Sequence, residues 1–342
     1  MALGLACAGA ATAQPKSPSL SPLGDFALGP ASGRIDYQSL DPASGRLYVS
    51  MMGAGKLLVF DTRQNKVLAL RDGFPKITGV LAVPALHRVY SSVPGAGLGP
   101  SLSVGLGMLG LSAGHGTVAV LDTDTMKEIA RLPGGVFPDG IAYDEKDNRV
   151  FVSDEMGSAV TAIDPASNRV IARIAAGGEV GNVQYDAATA RLYAPIQSKN
   201  ELAVFDPVRP ARIAAYPLPG CEHPHGLAIA PNAAVGFAAC DGNDVLMTID
   251  LRTGTILGHL PLGHDPDVLA MDAGYKRLYV ASESGRLSMF DIADPRAPKA
   301  LGETMIGPNA HSVAVDPSSH RLYFPLADAG GHAVMRVLVP AP

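Results

Sequence analysis

The chain of 342 residues contains no tryptophan and only three cysteines, and charged residues make up just 17% of it. Its 27 Lys and Arg are outnumbered by 32 Asp and Glu, so it lacks the basic excess that nucleic-acid binding requires. No paired-cysteine zinc motif, phosphate loop or Ser-His-Asp pattern is visible, and no apolar run reaches membrane-spanning length. We therefore expect no nucleic-acid partner and no transmembrane segment.

What the chain has instead is a repeated strand pattern. Residues 46–50 read RLYVS, residues 149–153 read RVFVS and residues 277–281 read RLYVA. Most copies continue through a turn to a second apolar strand that ends in aspartate, as at Asp61 and Asp291. Short alternating strands separated by turns are typical of all-β folds.

Seven copies can be aligned on these landmarks. Neighbouring copies are 42 to 44 residues apart, except for one spacing of 60 residues. The alignment places the following residues at one equivalent position: Asp36, Gly79, Asp139, Gly181, His225, Asp267 and His311. A period in the low forties with four short strands predicts an all-β, seven-bladed β-propeller of four-stranded antiparallel blades, forming one domain over residues 25–342.

The two ends of the chain lead to further predictions. The seventh copy stops after its third strand, so we expect residues 25–28 to supply its missing outer strand beside residues 334–338, closing the ring. Residues 1–13 are apolar and end in Ala-Thr-Ala, which predicts the remnant of a signal peptide and hence a periplasmic or secreted protein. We expect residues 14–24 to be a disordered linker.

The repeats resemble the YVTN-repeat β-propeller family over about residues 25–339, on the strength of the Tyr-Val strands such as Tyr48-Val49. No copy contains the full Tyr-Val-Thr-Asn sequence; in the first copy, for example, Tyr48-Val49 is followed by Ser50-Met51. The absence of Trp and of a Gly-His opening argues against Trp-Asp repeat propellers. The resemblance implies an exported seven-bladed propeller, but the functions in the family are diverse and the fold alone does not identify one.

The aligned positions form the predicted site, because rotation about a propeller axis brings equivalent residues into a ring. Asp36, Asp139, Asp267, His225 and His311 are residue types that bind metals, while the two glycines leave room. Imidazole and carboxylate together suit a divalent transition metal such as zinc, whereas the three Asp with neighbouring Asn182 suit calcium. The alternative is that these residues only hydrogen-bond the backbone of ordinary turns.

Turns on the same face add polar side chains that are candidates for binding a polyhydroxylated or other small ligand. They are Asp154, Glu155, Gln197, Lys199, Asn200, His223, Asp241, Asn243 and Glu283. For any one of them, a solvated turn is the alternative. The spacing of 60 residues locates an inserted loop at 94–116 in the second blade, rich in Gly and Leu. A lid over the channel mouth, a docking loop for a partner or membrane surface, and disorder all remain open for it.

The stretch 221–225 reads CEHPH and has two interpretations. Cys221 precedes the first strand of the fifth blade and Cys240 ends the second, so antiparallel pairing brings them together and predicts a disulfide in an exported protein. Metal-bound thiolates are the alternative.

Two functions follow from these residues. The first is an exported binding propeller that holds a small molecule, a metal ion or a protein partner at the channel mouth. The second is a divalent-metal-dependent hydrolase or lyase similar to gluconolactonase-type propellers. In the second case Asp36, Asn182 and Asp267 are the expected ligands, and His225 or His311 is the expected general base.

Overall fold

The structure is a computed structural model that describes residues 19–30, 33–95 and 116–341. The predicted signal peptide and residues 96–115 of the inserted loop lie outside the described residues. The described chain forms seven four-stranded antiparallel sheets arranged in a ring, as the repeat predicts. None of its helices has the length and apolar character needed to span a bilayer.

The first six blades each use four consecutive strands, numbered from the axis outward. Blade 1 consists of β2 (Gln38–Asp41), β3 (Arg46–Met51), β4 (Lys56–Asp61) and β5 (Lys66–Asp72). Blade 2 consists of β6 (Val80–Val83), β7 (Arg88–Val93), β8 (Gly116–Asp122) and β9 (Glu128–Gly135). Blade 3 consists of β10 (Pro138–Asp144), β11 (Arg149–Asp154), β12 (Ala159–Asp164) and β13 (Arg169–Ala175).

The next three blades repeat the arrangement. Blade 4 consists of β14 (Gln184–Asp186), β15 (Arg191–Ile196), β16 (Glu201–Asp206) and β17 (Ala211–Pro217). Blade 5 consists of β18 (Pro224–Ala230), β19 (Val235–Cys240), β20 (Val245–Asp250) and β21 (Ile256–Pro261). Blade 6 consists of β22 (Pro266–Asp272), β23 (Arg277–Ser282), β24 (Arg286–Asp291) and β25 (Lys299–Met305).

Blade 7 joins the two ends of the chain. It consists of β26 (Ala314–Val315), β27 (Leu322–Leu326), β28 (His332–Pro340) and, outermost, β1 (Leu20–Pro30). Asp25 pairs with Arg336 in the register, which confirms the predicted closure. The strand begins earlier than the sequence suggested, however. Leu20 already pairs with Pro340. The prediction of a disordered linker over residues 14–24 is therefore wrong from Leu20 onward, because these residues form hydrogen bonds with the edge of β28.

Burial within each blade follows strand position. Middle strands such as β4 and β12 are buried on both faces, whereas outer strands such as β13 alternate between exposed and partly buried residues. The core lies between neighbouring blades, where the side chains of adjacent sheets pack against each other. The aspartates that end the third strands accept backbone N–H groups of the following turn, as Asp61 does from Arg63 and Gln64.

The arginine that begins the second strand links several blades to the next one. The guanidinium groups of Arg46 and Arg88 donate to the carbonyl oxygens of Thr123 and Pro165, which follow the third strands of the neighbouring blades. Arg277 makes the equivalent bond to Ala341, at 2.5 Å. These bonds supplement the apolar packing between neighbouring blades.

Candidate functional site

The structure brings the five polar residues of the predicted ring into one cluster. Nε2 of His311 lies 3.5 Å from Oδ1 of Asp36 and 4.0 Å from Oδ2 of Asp267. Nε2 of His225 lies 3.6 Å from Oδ1 of Asp267 and 3.9 Å from Oδ2 of Asp139. Asp267 is therefore shared by the two histidines and joins the two halves of the cluster.

The glycines at the remaining two ring positions are required by close packing. A Cβ on Gly79 would lie 2.0 Å from the carbonyl oxygen of Asp139. A Cβ on Gly181 would lie 2.5 Å from the carbonyl oxygen of His225. Both distances are far shorter than a van der Waals contact, so only glycine lets these blades approach at the axis.

Three members of the ring form a group suited to a metal ion. One ligand atom from each of Asp36, Asp267 and His311 lies within 4.8 Å of the others, and all three residues are buried. Nε2 of His311 and Oδ1 of Asp267 have no hydrogen-bond partner among the described residues. A buried polar atom without a partner is costly, which makes this group a candidate for binding something.

The tautomer of His311 is set by its second nitrogen. Nδ1 of His311 lies 3.0 Å from the backbone carbonyl oxygen of Asn309, which can only accept a hydrogen bond. The hydrogen of a neutral imidazole is therefore on Nδ1, and the lone pair is on Nε2, facing Asp36 and Asp267. A metal-binding histidine is commonly held in its tautomer by such a bond.

His225 has different surroundings, since both of its ring nitrogens are engaged. Nδ1 lies 3.1 Å from Oε1 of Gln197, and Nε2 lies 3.1 Å from the hydroxyl of Tyr37. That hydroxyl donates in turn to Oδ1 of Asn182, at 2.9 Å. This arrangement suits an imidazolium that donates from both nitrogens.

The charges around His225 also favour its protonated, imidazolium form. Burial disfavours its charged form, but the carboxylates of Asp267, Glu155 and Asp139 outweigh burial and raise the pKa of His225 to about 9. His225 is thus a positive charge at neutral pH. Burial likewise disfavours the charged form of His311, but the neighbouring carboxylates of Asp36 and Asp267 outweigh it, so the pKa of His311 is also raised.

Burial raises the pKa of three further acidic groups at the ring. Burial, reinforced by Glu155, raises the pKa of Asp139 well above its ordinary value. Burial also raises the pKa of Asp267, against the effect of the two histidines. The pKa of Tyr37 is raised well above 10.0 by burial and by Asp139, so its hydroxyl remains a donor.

Sequence reasoning missed two residues of the site. The Arg34 guanidinium contacts Asp36 and Asp267 at 3.4 and 3.7 Å and also pairs with Glu283. Tyr37 contacts Asn182 and His225. Tyr37 had a recognisable signal: at the position after the aligned residue, no other copy has an aromatic side chain. Arg34 had none, since it lies in the turn before the repeat begins.

Other predicted site residues lie apart from the ring cluster. The buried carboxylate of Asp154 accepts the backbone N–H groups of Val136 and Phe137 and pairs with Arg173, so it serves to hold the turn together. The side chain of His223 is 44% exposed and lies 2.7 Å from Asp241. Asn182 and Glu283, in contrast, both contact the cluster, through Tyr37 and Arg34 respectively.

The two cysteines form the predicted disulfide. Cys221 and Cys240 are bonded to each other, with their Cα atoms 5.4 Å apart. This excludes the alternative of metal-bound thiolates in the CEHPH stretch. His223 and His225 of that stretch also belong to different surroundings, one on the rim and one in the ring.

Comparisons with known proteins give the fold and no family. No protein-family model matches the chain, and no curated protein matches it. Among solved structures, a chain of a crystal structure of the mitotic checkpoint complex has a TM-score of 0.75. The alignment covers 100% of this chain and 98% of that one, at 10% sequence identity. Similarity at this identity shows the seven-bladed fold alone.

A cavity opens beside the ring cluster. Its volume is about 230 Å³, and it is lined by Arg34, Tyr37 and members of the ring. Met52 and Phe137 contribute apolar surface to the same cavity. A small polar molecule or a hydrated ion therefore has room next to Asp36 and Asp267, two members of the metal-suited group.

Proposed function

We propose that this chain is a binding β-propeller that holds a divalent cation at the channel mouth through Asp36, Asp267 and His311. The observation that carries the proposal is the convergence of three ligand atoms within 4.8 Å, including the buried and unpaired Nε2 of His311. An acidic cluster alone would not suffice. The imidazole, held in the tautomer that presents its lone pair to both carboxylates, distinguishes this group.

The donor set favours a transition metal such as zinc or manganese over calcium. Calcium takes six to eight oxygen ligands, whereas zinc accepts imidazole and carboxylate ligands together, and manganese accepts the two carboxylates. Asn182, which would extend an oxygen-rich set, already accepts the hydroxyl of Tyr37. Three protein ligands also leave a coordination position open for a ligand in the adjacent cavity.

Two wider features belong to the same proposal. We place the chain with the exported YVTN-type propellers, supported by the repeat pattern, and in the periplasm, supported by the disulfide between Cys221 and Cys240. The binding partner would be a small molecule or an exposed protein segment with an oxygen donor, presented at the channel face.

A metal-dependent hydrolase or lyase is the second candidate, favoured by the pair of His225 and Tyr37 beside the metal group. The cation, when bound, would supply Lewis acidity. Nε2 of His225 lies 3.6 Å from Asp267 and 3.1 Å from the Tyr37 hydroxyl, so this pair could hold and donate a proton at the cavity. With its pKa at about 9, His225 would act as an acid rather than as the general base expected from the sequence. Assays of lactone hydrolysis by wild type and by His225→Gln separate the two candidates: turnover that is lost in the variant favours the enzyme.

Calorimetric titration of chelator-treated protein with zinc, manganese and calcium chlorides tests the main proposal. We expect one site per chain, with zinc or manganese bound more tightly than calcium. Elemental analysis of protein purified without chelator should find the same metal. The absence of any saturable binding by all three cations would contradict the proposal.

A further inference from the structure

We propose that Arg34 occupies the place of the cation in the metal-free protein and must be displaced when the cation binds. The inference rests on the proposed metal site and specifies how that site is controlled. Nη2 of Arg34 and Nε2 of His311 contact the same two carboxylate oxygens, Oδ1 of Asp36 and Oδ2 of Asp267.

The distances describe a guanidinium in ion-pair contact with both ligands. Nη2 lies 3.4 Å from Oδ1 of Asp36 and 3.7 Å from Oδ2 of Asp267. A cation that used these oxygens together with His311 would sit against the positive charge of Arg34. Repulsion at such short range is strong, so the two cannot occupy the group together without a large cost.

The exposed fractions of the side chains show that Arg34 can move more readily than the three proposed ligands. The side chain of Arg34 is 40% exposed, whereas those of Asp36, Asp267 and His311 are 6%, 11% and 1% exposed. The backbone of Arg34 is held by the N–H of Gly53, which donates to its carbonyl oxygen at 2.8 Å. The side chain alone can therefore swing toward solvent while the ligands stay in place.

Glu283 provides a position for the displaced guanidinium. It pairs with Nη1 of Arg34, whereas Asp36 and Asp267 contact Nη2, and its own side chain is 23% exposed. Arg34 can thus leave Asp36 and Asp267 and remain paired with Glu283. The arrangement selects for divalent cations, because a monovalent ion replaces the guanidinium without any gain in charge.

Substitution of Arg34 tests the inference in the full-length protein. Manganese and zinc affinities would be measured by calorimetry for wild type, Arg34→Met and Arg34→Lys. Arg131→Met is the matched control, since Arg131 is paired with Glu128 on the outer strand β9, away from the ring. We expect Arg34→Met to bind at least about tenfold more tightly, because it removes a unit charge a few ångströms from the cation. Arg34→Lys and Arg131→Met should remain close to wild type.

The outcomes separate this inference from the proposed function. Binding that is tighter in Arg34→Met than in wild type and in the other two variants supports displacement. Equal or weaker binding by Arg34→Met, with wild-type binding intact, overturns the role of Arg34 but leaves the metal site standing. Failure of wild type and of every variant to bind either cation overturns the metal site itself and this inference with it.

Discussion

Nε2 of His311 lies 3.5 Å from Oδ1 of Asp36 and makes no hydrogen bond to any described residue. The other ring nitrogen is fixed by the carbonyl of Asn309, so His311 cannot use Nε2 as a donor unless it is protonated. A buried acceptor left unpaired costs about 1 to 3 kcal/mol. A cation between His311, Asp36 and Asp267 would recover this cost and bring the carboxylates into direct coordination.

Replacing a ligand should abolish cation binding while the fold is retained. We expect His311→Gln to weaken zinc binding by at least about 100-fold, since the loss of even an outer-shell partner commonly costs 10 to 100-fold. His320→Gln is the matched control: His320 also pairs with a buried aspartate, Asp272 at 2.8 Å, but at the other end of β22 from Asp267. Calorimetry checks both variants, and equal losses in the two would contradict the assignment.

Cation affinity should depend on pH in a direction fixed by His311. The pKa of His311 is raised above 6.5 in the metal-free protein. Protons therefore begin to compete with the cation for the imidazole at a pH above 6.5, and they compete more strongly as the pH falls. Affinity should therefore fall as the pH drops from about 8 toward 6, and binding should release protons. Calorimetry in two buffers of different ionisation enthalpy measures that release. An affinity that is constant over this range would exclude imidazole coordination.

The salt bridge at the ring closure should stabilise the protein only above acidic pH. Arg336 lowers the pKa of Asp25 by hydrogen bonding to its carboxylate, at 2.6 and 2.8 Å. The contribution is therefore present above the unfolded pKa of about 3.9 and is lost as the pH falls through the lower folded value. At pH 7, thermal unfolding should show that the free energy of unfolding of Asp25→Asn is lower than that of wild type by at most about 1 kcal/mol, as is usual for a partly exposed ion pair. The deficit should shrink below pH 4. A deficit independent of pH would show that charge is not its cause.

The disulfide should contribute substantially to stability. Cys221 and Cys240 are both buried and are separated by 19 residues in sequence. For a loop of this length, the chain-entropy model gives a contribution of about 3 kcal/mol. Urea unfolding of the double variant Cys221→Ala, Cys240→Ala should reveal a loss of this order, and the variant should no longer respond to reductant. A wild type whose unfolding is unchanged by reductant would contradict the prediction.

Much of the fold was predictable because strand alternation and turn chemistry repeat with every blade. The closure of blade 7 followed from a missing outer strand. An aspartate at a strand end, such as Asp61, commonly accepts backbone N–H groups of the following turn, and it does so here. The early start of β1 at Leu20 could not be predicted, because residues 20–24 have the composition of a linker and only their pairing with the edge of β28 makes them a strand.

The candidate site was only partly predictable. Rotation about the axis correctly brought Asp36, Asp139, Asp267, His225 and His311 together, but side-chain partners decide which of them can bind a metal. His225 is engaged by Gln197 and Tyr37, and neither partner is at its aligned position. Arg34 has no counterpart in the repeat, so its contacts with Asp36 and Asp267 could come only from the structure.

The most direct test is anomalous diffraction from crystals soaked with zinc or manganese. The proposed function predicts one strong peak about 2.0 to 2.2 Å from Nε2 of His311 and from carboxylate oxygens of Asp36 and Asp267. The Arg34 side chain should have moved away from both carboxylates in the same map. A well-diffracting soaked crystal with no peak in this group, or with the ion bound only elsewhere, would contradict the metal site.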